Sequence, residues 1–296
     1  MPTSNIVNTR PAEIRSLAKT ALSGLWGKLI ICLLISESII SYIPAILSLF
    51  IPTLSWTYTF DYMGTPMHMV YSLLPVIFLA IFNGPFILSI SRINLKIIRE
   101  RNIETKDIFY GFRYFIKAFI TQFFMGLITL IFILPIMILF LGIGGAFLRS
   151  AGILQALGAI ITTAGIFLVM TAAMYILLLI SMTYYRLSDA PSLKPLAAIK
   201  ESISIMKPNV FKLLVLRFTY IGWGLAAILL SQSITTLLAN VVPESLSIIA
   251  NIVGGIPLIF FTAYMRMGDA FFYEFAMGHI MRAEPVTPSY NQPKSA

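Results

Sequence analysis

The stretch that decides the fold is Ala118–Leu141, AFITQFFMGLITLIFILPIMILFL, which contains no Asp, Glu, Lys, Arg or His. A helix of about 20 apolar residues is long enough to cross the roughly 30 Å hydrocarbon core of a bilayer. Similar stretches recur along the 296-residue chain, in which only 11% of residues are charged. An average soluble protein carries about a quarter charged residues. The composition therefore predicts a polytopic membrane protein.

Six such stretches are predicted to span the membrane as helices, which makes the fold class an all-α integral membrane protein. The predicted spans are Leu29–Phe50, Val70–Ser91, Ala118–Leu141, Leu157–Thr183, Leu213–Leu238 and Leu246–Met265. We expect them to form one domain over residues 1–282, followed by a flexible cytoplasmic tail over residues 283–296. Polar and amphipathic residues precede the first span and no small-residue cleavage site follows it, so no cleaved signal peptide is expected.

Positive charge lies almost entirely on one side of these spans. The connections after the first, third and fifth spans are short and nearly uncharged, whereas Arg92–Lys117 and Tyr184–Lys212 are longer and basic. Of the 21 Lys and Arg residues, only Arg149 falls on the other side. Because basic connections stay in the cytoplasm, both termini are predicted to be cytoplasmic. The basic segments flank apolar spans, so their expected partners are membrane lipids with anionic head groups rather than nucleic acid.

A coarse threefold repeat accompanies the charge pattern. Amphipathic, basic stretches precede the three odd-numbered spans, at Ile14–Trp26, Asp107–Ile116 and Leu196–Met206. We interpret the chain as three hairpins of spans, each preceded by an amphipathic helix on the cytoplasmic surface. The alternative is that any hairpin anchored on the inside needs a basic residue at both ends, without true repetition.

The candidate functional site is a set of polar residues inside the spans. Glu37 lies nine residues past Lys28, which places it about 13.5 Å into the membrane, so its side chain should face protein or water. Ser41 follows on the same helix face, and Asn83 reaches a similar depth nine residues before Arg92. Two interpretations stay open: a small polar cavity, or a structural hydrogen bond between Glu37 and Asn83.

Few other residues can carry chemistry. Arg266 and Asp269 are spaced i, i+3 near the end of the sixth span, and we expect them to pair as a clamp at the cytoplasmic membrane surface. The sequence has one cysteine, Cys32, and its two histidines, His68 and His279, fall on opposite sides of the membrane. Nucleotide-binding loops, nucleophile elbows and zinc-protease motifs are absent from the sequence. We therefore expect a protein that is not an enzyme and that has no metal or other cofactor.

Two functions follow from this pattern. The first is a non-enzymatic plasma-membrane protein that binds or organises a lipid, a hydrophobic peptide or a partner membrane protein, in envelope maintenance or resistance to membrane-active peptides. The second is a transporter or channel for a small solute or ion, with its polar site at Glu37 and Asn83. A solute pathway needs polar residues at several depths, and the third and fourth spans are almost wholly apolar in their middle. That apolarity favours the first function.

Three stretches of the chain resemble a known family. They are IRSLAKTALSGLWGKLIICLL at Ile14–Leu34, AIKESISIMKPNVFKLLVLRFTYIGWG at Ala198–Gly224 and AFFYEF at Ala270–Phe275. They are similar to the uncharacterised membrane proteins grouped as domain of unknown function 975. Pro208 stands where members of that family usually have glycine. The resemblance implies a polytopic protein of a Gram-positive plasma membrane, and it implies no catalytic or binding residues.

Overall fold

The computed structural model describes residues 5–51, 55–62, 65–243 and 247–280. Within these ranges, six helical segments are long and apolar enough to cross a membrane, which confirms the predicted number. They are Trp26–Ser48, Leu73–Glu100, Thr105–Leu148, Ile153–Asp189, Ile221–Ala239 and Ile249–Met277. The tail predicted over residues 283–296 lies outside the described residues.

The elements of the first half include one π-helical turn, one 3-10 helix and one β-hairpin. In chain order they are α1 (Pro11–Leu22), α2 (Trp26–Glu37), the π-helical turn (Ser38–Tyr42), α3 (Ile43–Phe50), β1 (Ser55–Tyr62), β2 (Thr65–Ser72), α4 (Leu73–Glu100), the 3-10 helix (Thr105–Tyr114) and α5 (Phe115–Leu148). The second half is helical wherever it has regular structure in the described residues. Its helices are α6 (Ile153–Leu179), α7 (Thr183–Asp189), α8 (Pro195–Met206), α9 (Val210–Phe218), α10 (Ile221–Ala239) and α11 (Ser247–Met277).

Local sequence explains where several helices begin and end. Pro11 and Pro195 are the first residues of α1 and α8, where the N–H that proline lacks would have no helical partner. The side chains of Glu104 and Asp107 form a reciprocal capping box at the start of the 3-10 helix. Helix α4 ends at Glu100 and is capped by Arg101, whose φ of 50° lies in the left-handed region that glycine usually occupies at this position.

The connection between α3 and α4 is more ordered than the sequence analysis predicts. It contains an antiparallel hairpin in which Trp56 lies opposite Tyr71 and Thr57 lies opposite Val70. Aromatic and β-branched residues are frequent in both strands, and such residues favour extended structure. The all-α fold class is thus confirmed for the body of the molecule, and the hairpin is an addition in this connection.

The connection between α5 and α6 is shorter than predicted, and it lies within the predicted connection between Leu141 and Leu157. The glycine-rich segment Gly142–Gly145 follows the end of the predicted third span, yet it is part of α5, which continues to Leu148. The chain reverses just beyond, where Gly152 has a φ of 67°. Gly144 serves the packing of α5 on α6, because a Cβ atom at this position would collide with the side chain of Thr162. Small residues allow such close approach between membrane helices.

The fifth apolar segment also begins later than predicted. The region around Leu213 forms the separate helix α9, and the segment that can cross the membrane starts at Ile221 in α10. Pro208 occupies the turn between α8 and α9. The turn does not need a glycine there, because Arg101 is the one non-glycine residue with positive φ in the described chain.

The apolar core lies at one end of the bundle. We call it the basic end, because the three amphipathic, basic stretches of the sequence, which form α1, the 3-10 helix and α8, meet there. Ile14 of α1, Ile108 of the 3-10 helix, Met206 of α8 and Phe272 of α11 belong to one buried cluster. Away from this end the packing is sparser. None of the most apolar 18-residue stretch of the Thr105–Leu148 segment is buried, as expected for a helix that faces lipid.

Residues 5–8 run across the basic end, and we call them the N-terminal strap. The backbone N–H of Asn5 donates a hydrogen bond to the carbonyl oxygen of Ala276 at 2.9 Å. The side chain of Asn209 donates to the carbonyl oxygen of Asn5 at 3.0 Å and accepts from the N–H of Val7 at 3.0 Å. The strap therefore connects the turn between α8 and α9 with the end of α11.

Candidate functional site

A cavity of about 370 Å³ lies between α2, the π-helical turn, α4 and α11. Pockets that bind small molecules usually have volumes of roughly 300–1,000 Å³. The three residues of the predicted intramembrane site, Glu37, Ser41 and Asn83, all line this cavity, and so does Arg266. The structure thus brings together polar residues from three helices that are far apart in the sequence.

Most of the remaining cavity wall is apolar. The apolar lining includes Leu33, Ile40, Leu79, Phe86, Ile90 and Ile259, and the hydroxyl groups of Ser36 and Thr262 add to the polar lining. Leu79 is 49% exposed and lies seven residues into the Leu73–Glu100 segment. Glu37 is also exposed. The cavity therefore opens on the side of the bundle, at a level within the apolar segments.

Glu37 is the last residue of α2, immediately before the π-helical turn. Its Oε1 atom accepts a hydrogen bond of 2.6 Å from the hydroxyl of Ser41. Within the described residues, Glu37 has no cation within 4 Å and no hydrogen bond with Asn83. The structural Glu37–Asn83 hydrogen bond, one of the two interpretations of the sequence, is therefore not formed.

The π-helical turn shapes the outer part of the cavity. Pro44 follows the turn and has no N–H to donate to the carbonyl of Ile40, so the regular helical pattern cannot continue through this point. Tyr42 from the turn reaches α11, where a Cβ atom on Gly255 would lie 3.0 Å from the tyrosine hydroxyl oxygen. Wide turns of this kind occur often at functional sites.

The sequence Asn83-Gly84-Pro85 fixes the orientation of α4. A Cβ atom on Gly84 would lie 2.7 Å from a backbone carbonyl oxygen of α5, so only glycine permits this approach. The carbonyl of Pro85 accepts a hydrogen bond from the Ser89 hydroxyl at 3.0 Å, and the same hydroxyl accepts from the N–H of Gly111 at 2.7 Å. These contacts hold one side of α4 against α5 and the 3-10 helix, while Asn83 faces the cavity.

The predicted clamp between Arg266 and Asp269 is not formed. Asp269 instead pairs with Arg217 of α9, with 3.0 Å between Nη2 and Oδ2. Positions three residues apart differ by about 60° around a helix, so the two side chains can meet different neighbours. Arg266 lines the cavity, and no carboxylate lies within 4 Å of it among the described residues.

A second group of polar residues, at the basic end, was not identified by the sequence analysis. Arg99 of α4 lies 2.6 Å from Glu274 of α11 and 2.6 Å from Asp189 of α7. The hydroxyl of Tyr273 donates to Asp189 at 2.8 Å, and His279 Nδ1 lies 3.0 Å from Glu274. We call these five residues the Arg99 cluster. They are spread over the sequence without a regular spacing, and the one signal was an acidic residue inside the apolar run AFFYEF.

Candidate metal ligands are sparse in the described part of the chain. Among the described residues, no group of three or more His, Cys, Asp or Glu side chains could hold a metal ion. Cys32 is free and buried in the apolar core. The absence of a cofactor stays a prediction.

The fold and the cavity define a class: this is a multi-pass helical membrane protein. Between its apolar helices lies a pocket that has mostly apolar walls and a few polar side chains. The chain belongs to the family described as "Protein of unknown function (DUF975)", whose model matches residues 8–278. The resemblance of the three stretches is thus confirmed, and it extends over nearly the whole chain. No curated protein and no solved structure matches the chain.

Proposed function

We propose that this protein binds a lipid or a hydrophobic peptide in the cavity between α2, α4 and α11. The observation that carries the proposal is the lining, in which Glu37, Asn83 and Arg266 face a space walled by apolar side chains. Polar and charged groups are costly in an apolar environment unless a partner meets them. An amphiphile supplies both a polar group for these side chains and an apolar part for the walls and the opening.

The proposed setting is a bacterial plasma membrane with both termini in the cytoplasm. The hairpins would be α2–α3 with α4, α5 with α6, and α10 with α11, each preceded by an amphipathic helix: α1, the 3-10 helix and α8. Two observations support this arrangement. The pairs α5–α6 and α10–α11 have the most extensive helix–helix contacts in the described chain. Helix α1 buries Ile14 and Ala18 and leaves Ser16, Lys19 and Thr20 exposed.

The proposed role is binding rather than catalysis. General acid–base chemistry needs groups positioned at the reacting atoms, and among the described residues Glu37 is the one carboxylate in the cavity lining. Asp269 is buried and paired with Arg217, outside that lining. A binding protein of this kind would serve envelope maintenance or resistance to membrane-active peptides.

Transport of a small solute or ion is the second candidate, and one observation favours it. The cavity lining has polar groups at several positions along the first span, Ser36, Glu37 and Ser41, and polar groups from α4 and α11 face them. Helices α5 and α6 do not line the cavity. Their apolar interior, which favoured binding in the sequence analysis, therefore does not distinguish the two functions.

Native mass spectrometry of the gently purified protein tests the binding proposal. We expect a lipid or peptide to remain bound to the wild type and to be lost from Thr262→Phe, because the larger ring projects into the cavity and takes up space that the ligand needs. Leu130→Phe is the matched control, since Leu130 is 53% exposed on α5, and it should retain the ligand. Retention of the same ligand by Thr262→Phe, or a wild-type protein that carries none, would contradict the proposal.

Complementation of a deletion strain separates binding from transport. Glu37→Gln keeps an acceptor for the Ser41 hydroxyl but cannot titrate. We expect this variant to be stable and at least partly functional if the cavity only binds its ligand. A Glu37→Gln protein that is stable but fully inactive would favour transport through a titrating Glu37.

A further inference from the structure

We infer that the ligand of this cavity is zwitterionic, with a cationic group that meets Glu37 and an anionic group that meets Arg266. The inference rests on the proposed binding function and adds the charge class of the ligand. Its basis is a juxtaposition: two side chains of opposite charge line one cavity, and among the described residues neither has an oppositely charged group within 4 Å.

Glu37 provides the anionic end of the site. One of its carboxylate oxygens accepts from Ser41, and within the described residues the other has no hydrogen-bond donor from the protein. A hydroxyl group does not neutralise a carboxylate, so a negative charge remains next to the apolar wall. An ammonium group would both neutralise this charge and donate the missing hydrogen bonds, and charge-assisted bonds of this type are stronger than neutral ones.

Arg266 provides the cationic end. Other basic residues near the apolar segments already have partners: Arg217 is paired with Asp269, Arg99 with Glu274, and the guanidinium of Arg92 lies 5.5 Å from the ring centre of Tyr110. Arg266 faces the cavity without a carboxylate within 4 Å in the described residues. A guanidinium group binds carboxylate and phosphate groups through two parallel hydrogen bonds.

The dimensions of the cavity limit the size of the charged group. Gly255 and Arg266 both line it, and eleven helical residues correspond to roughly 16 Å along α11. A volume of about 370 Å³ accommodates a head group but not a whole lipid with two acyl chains. The apolar part of the bound ligand would therefore extend out of the cavity through the opening beside Leu79. Asn83 and Ser36 also line the cavity and are available for neutral hydrogen bonds.

The charge class can be tested with three probes that share two eight-carbon acyl chains. They are dioctanoyl phosphatidylethanolamine (zwitterionic), dioctanoyl phosphatidylglycerol (anionic) and dioctanoyl dimethylammonium propane (cationic, with an N–H that can donate a hydrogen bond). We expect the purified full-length protein to bind the zwitterionic probe about tenfold more tightly than either of the others, which corresponds to one additional charge-assisted hydrogen bond. Equal affinities, or tightest binding of a singly charged probe, would overturn the inference.

Charge-neutral variants then assign each end of the ligand. Glu37→Gln should remove the preference over the anionic probe, and Arg266→Gln should remove the preference over the cationic probe. Glu37→Asp and Arg266→Lys keep the charges and should keep most of the preference. Glu100→Gln and Arg149→Gln are matched controls, because both residues are exposed and lie outside the cavity lining. If a neutral variant does not fold, the comparison of probes on the wild type still decides the question.

Two further measurements separate the sources of the ligand and the two proposals. If glycerophosphoethanolamine, which has no acyl chains, competes as well as the lipid, the ligand is a soluble zwitterion; if it does not, a lipid head group is the source. Either result is compatible with the zwitterion inference.

If the three probes bind equally but Thr262→Phe abolishes all binding, the charge inference fails and the binding function stands. If Thr262→Phe affects no probe, the binding function itself fails, and the inference fails with it.

Discussion

The guanidinium of Arg99 in α4 lies 2.6 Å from the carboxylate of Glu274 in α11, which is only 1% exposed. The same guanidinium reaches Asp189 of α7, so one side chain connects three helices at the basic end. A buried carboxylate is tolerated when a cation compensates its charge, and removal of that cation is strongly destabilising. The Arg99 cluster should therefore contribute strongly to the stability of the basic end.

Arg99→Met should lower the free energy of unfolding by about 2–3 kcal/mol, because Glu274 then stays buried without its cation. The Arg99 side chain is about a third exposed, and water moderates the loss accordingly. The double variant Arg99→Met, Glu274→Met should recover most of the stability. Thermal unfolding in detergent measures the effect. The control is Lys106→Met, which breaks an exposed pair with Glu104; a similar loss there would contradict the prediction.

Gly144 and Gly142 offer a matched test of helix packing, because they lie two residues apart in α5. A Cβ atom on Gly144 would collide with Thr162 of α6, whereas nothing lies within 4 Å of a Cβ atom on Gly142. Gly144→Ala should destabilise the protein by about 1–3 kcal/mol through overpacking. Gly142→Ala should be neutral or slightly stabilising, because alanine favours helix. Equal effects in thermal unfolding would argue against close packing of α5 on α6.

The proposed topology can be tested by cysteine labelling in intact cells. An impermeant maleimide should label Asp61→Cys and Arg149→Cys from outside, but not Lys194→Cys, which lies in an exposed position before α8. The native Cys32 is fully buried and should give little background. After the cells are permeabilised, Lys194→Cys should become reactive. Reaction of Lys194→Cys before permeabilisation would place that connection outside and refute the scheme.

The basic connections should hold anionic lipid at roughly 1 kcal/mol per basic residue near the surface. Reversal of four exposed charges, at Arg113, Lys194, Lys200 and Lys207, should reduce the number of anionic lipids that remain bound in native mass spectrometry. The reduction should be largest at low salt, where screening is weakest. Reversal of Arg149, on the proposed opposite side, is the control and should leave the number unchanged. A lipid count that is indifferent to the four reversals would contradict the prediction.

The sequence predicts the apolar helices well because each predicted span is a long local signal. No comparable signal marks the exact positions of the turns. Glycine-rich segments such as Gly142–Gly145 often form turns in which the chain reverses direction, yet here they are helical and pack against α6. The hairpin between α3 and α4 is short and lies beside longer apolar runs. Its alternating aromatic and hydroxyl residues are a weaker indication than a span of 20 apolar residues.

The sequence predicts which residues line the candidate site, but it does not predict which of them contact each other. The depth argument selected Glu37 and Asn83, and both line the cavity. Depth along a helix does not determine which way a side chain turns, so it could not show that Glu37 binds Ser41 rather than Asn83. The partner of Asp269 was missed for a related reason: spacing along one helix favours Arg266, whereas Arg217 approaches from another helix.

The N-terminal strap has a consequence for how the protein is made. Asn5 forms its backbone hydrogen bond with Ala276, which the ribosome adds 271 residues later. At about 5–20 residues per second, that interval lasts roughly 15–55 seconds. Asn209 is made earlier and can bind residues 5 and 7 first, but the hydrogen bond with the end of α11 cannot form until Ala276 is made. The contact between the strap and α11 would thus form late, and a strap that is not bound to α11 would distinguish a nascent or truncated chain from one in which α11 is in place, for example to a membrane protease.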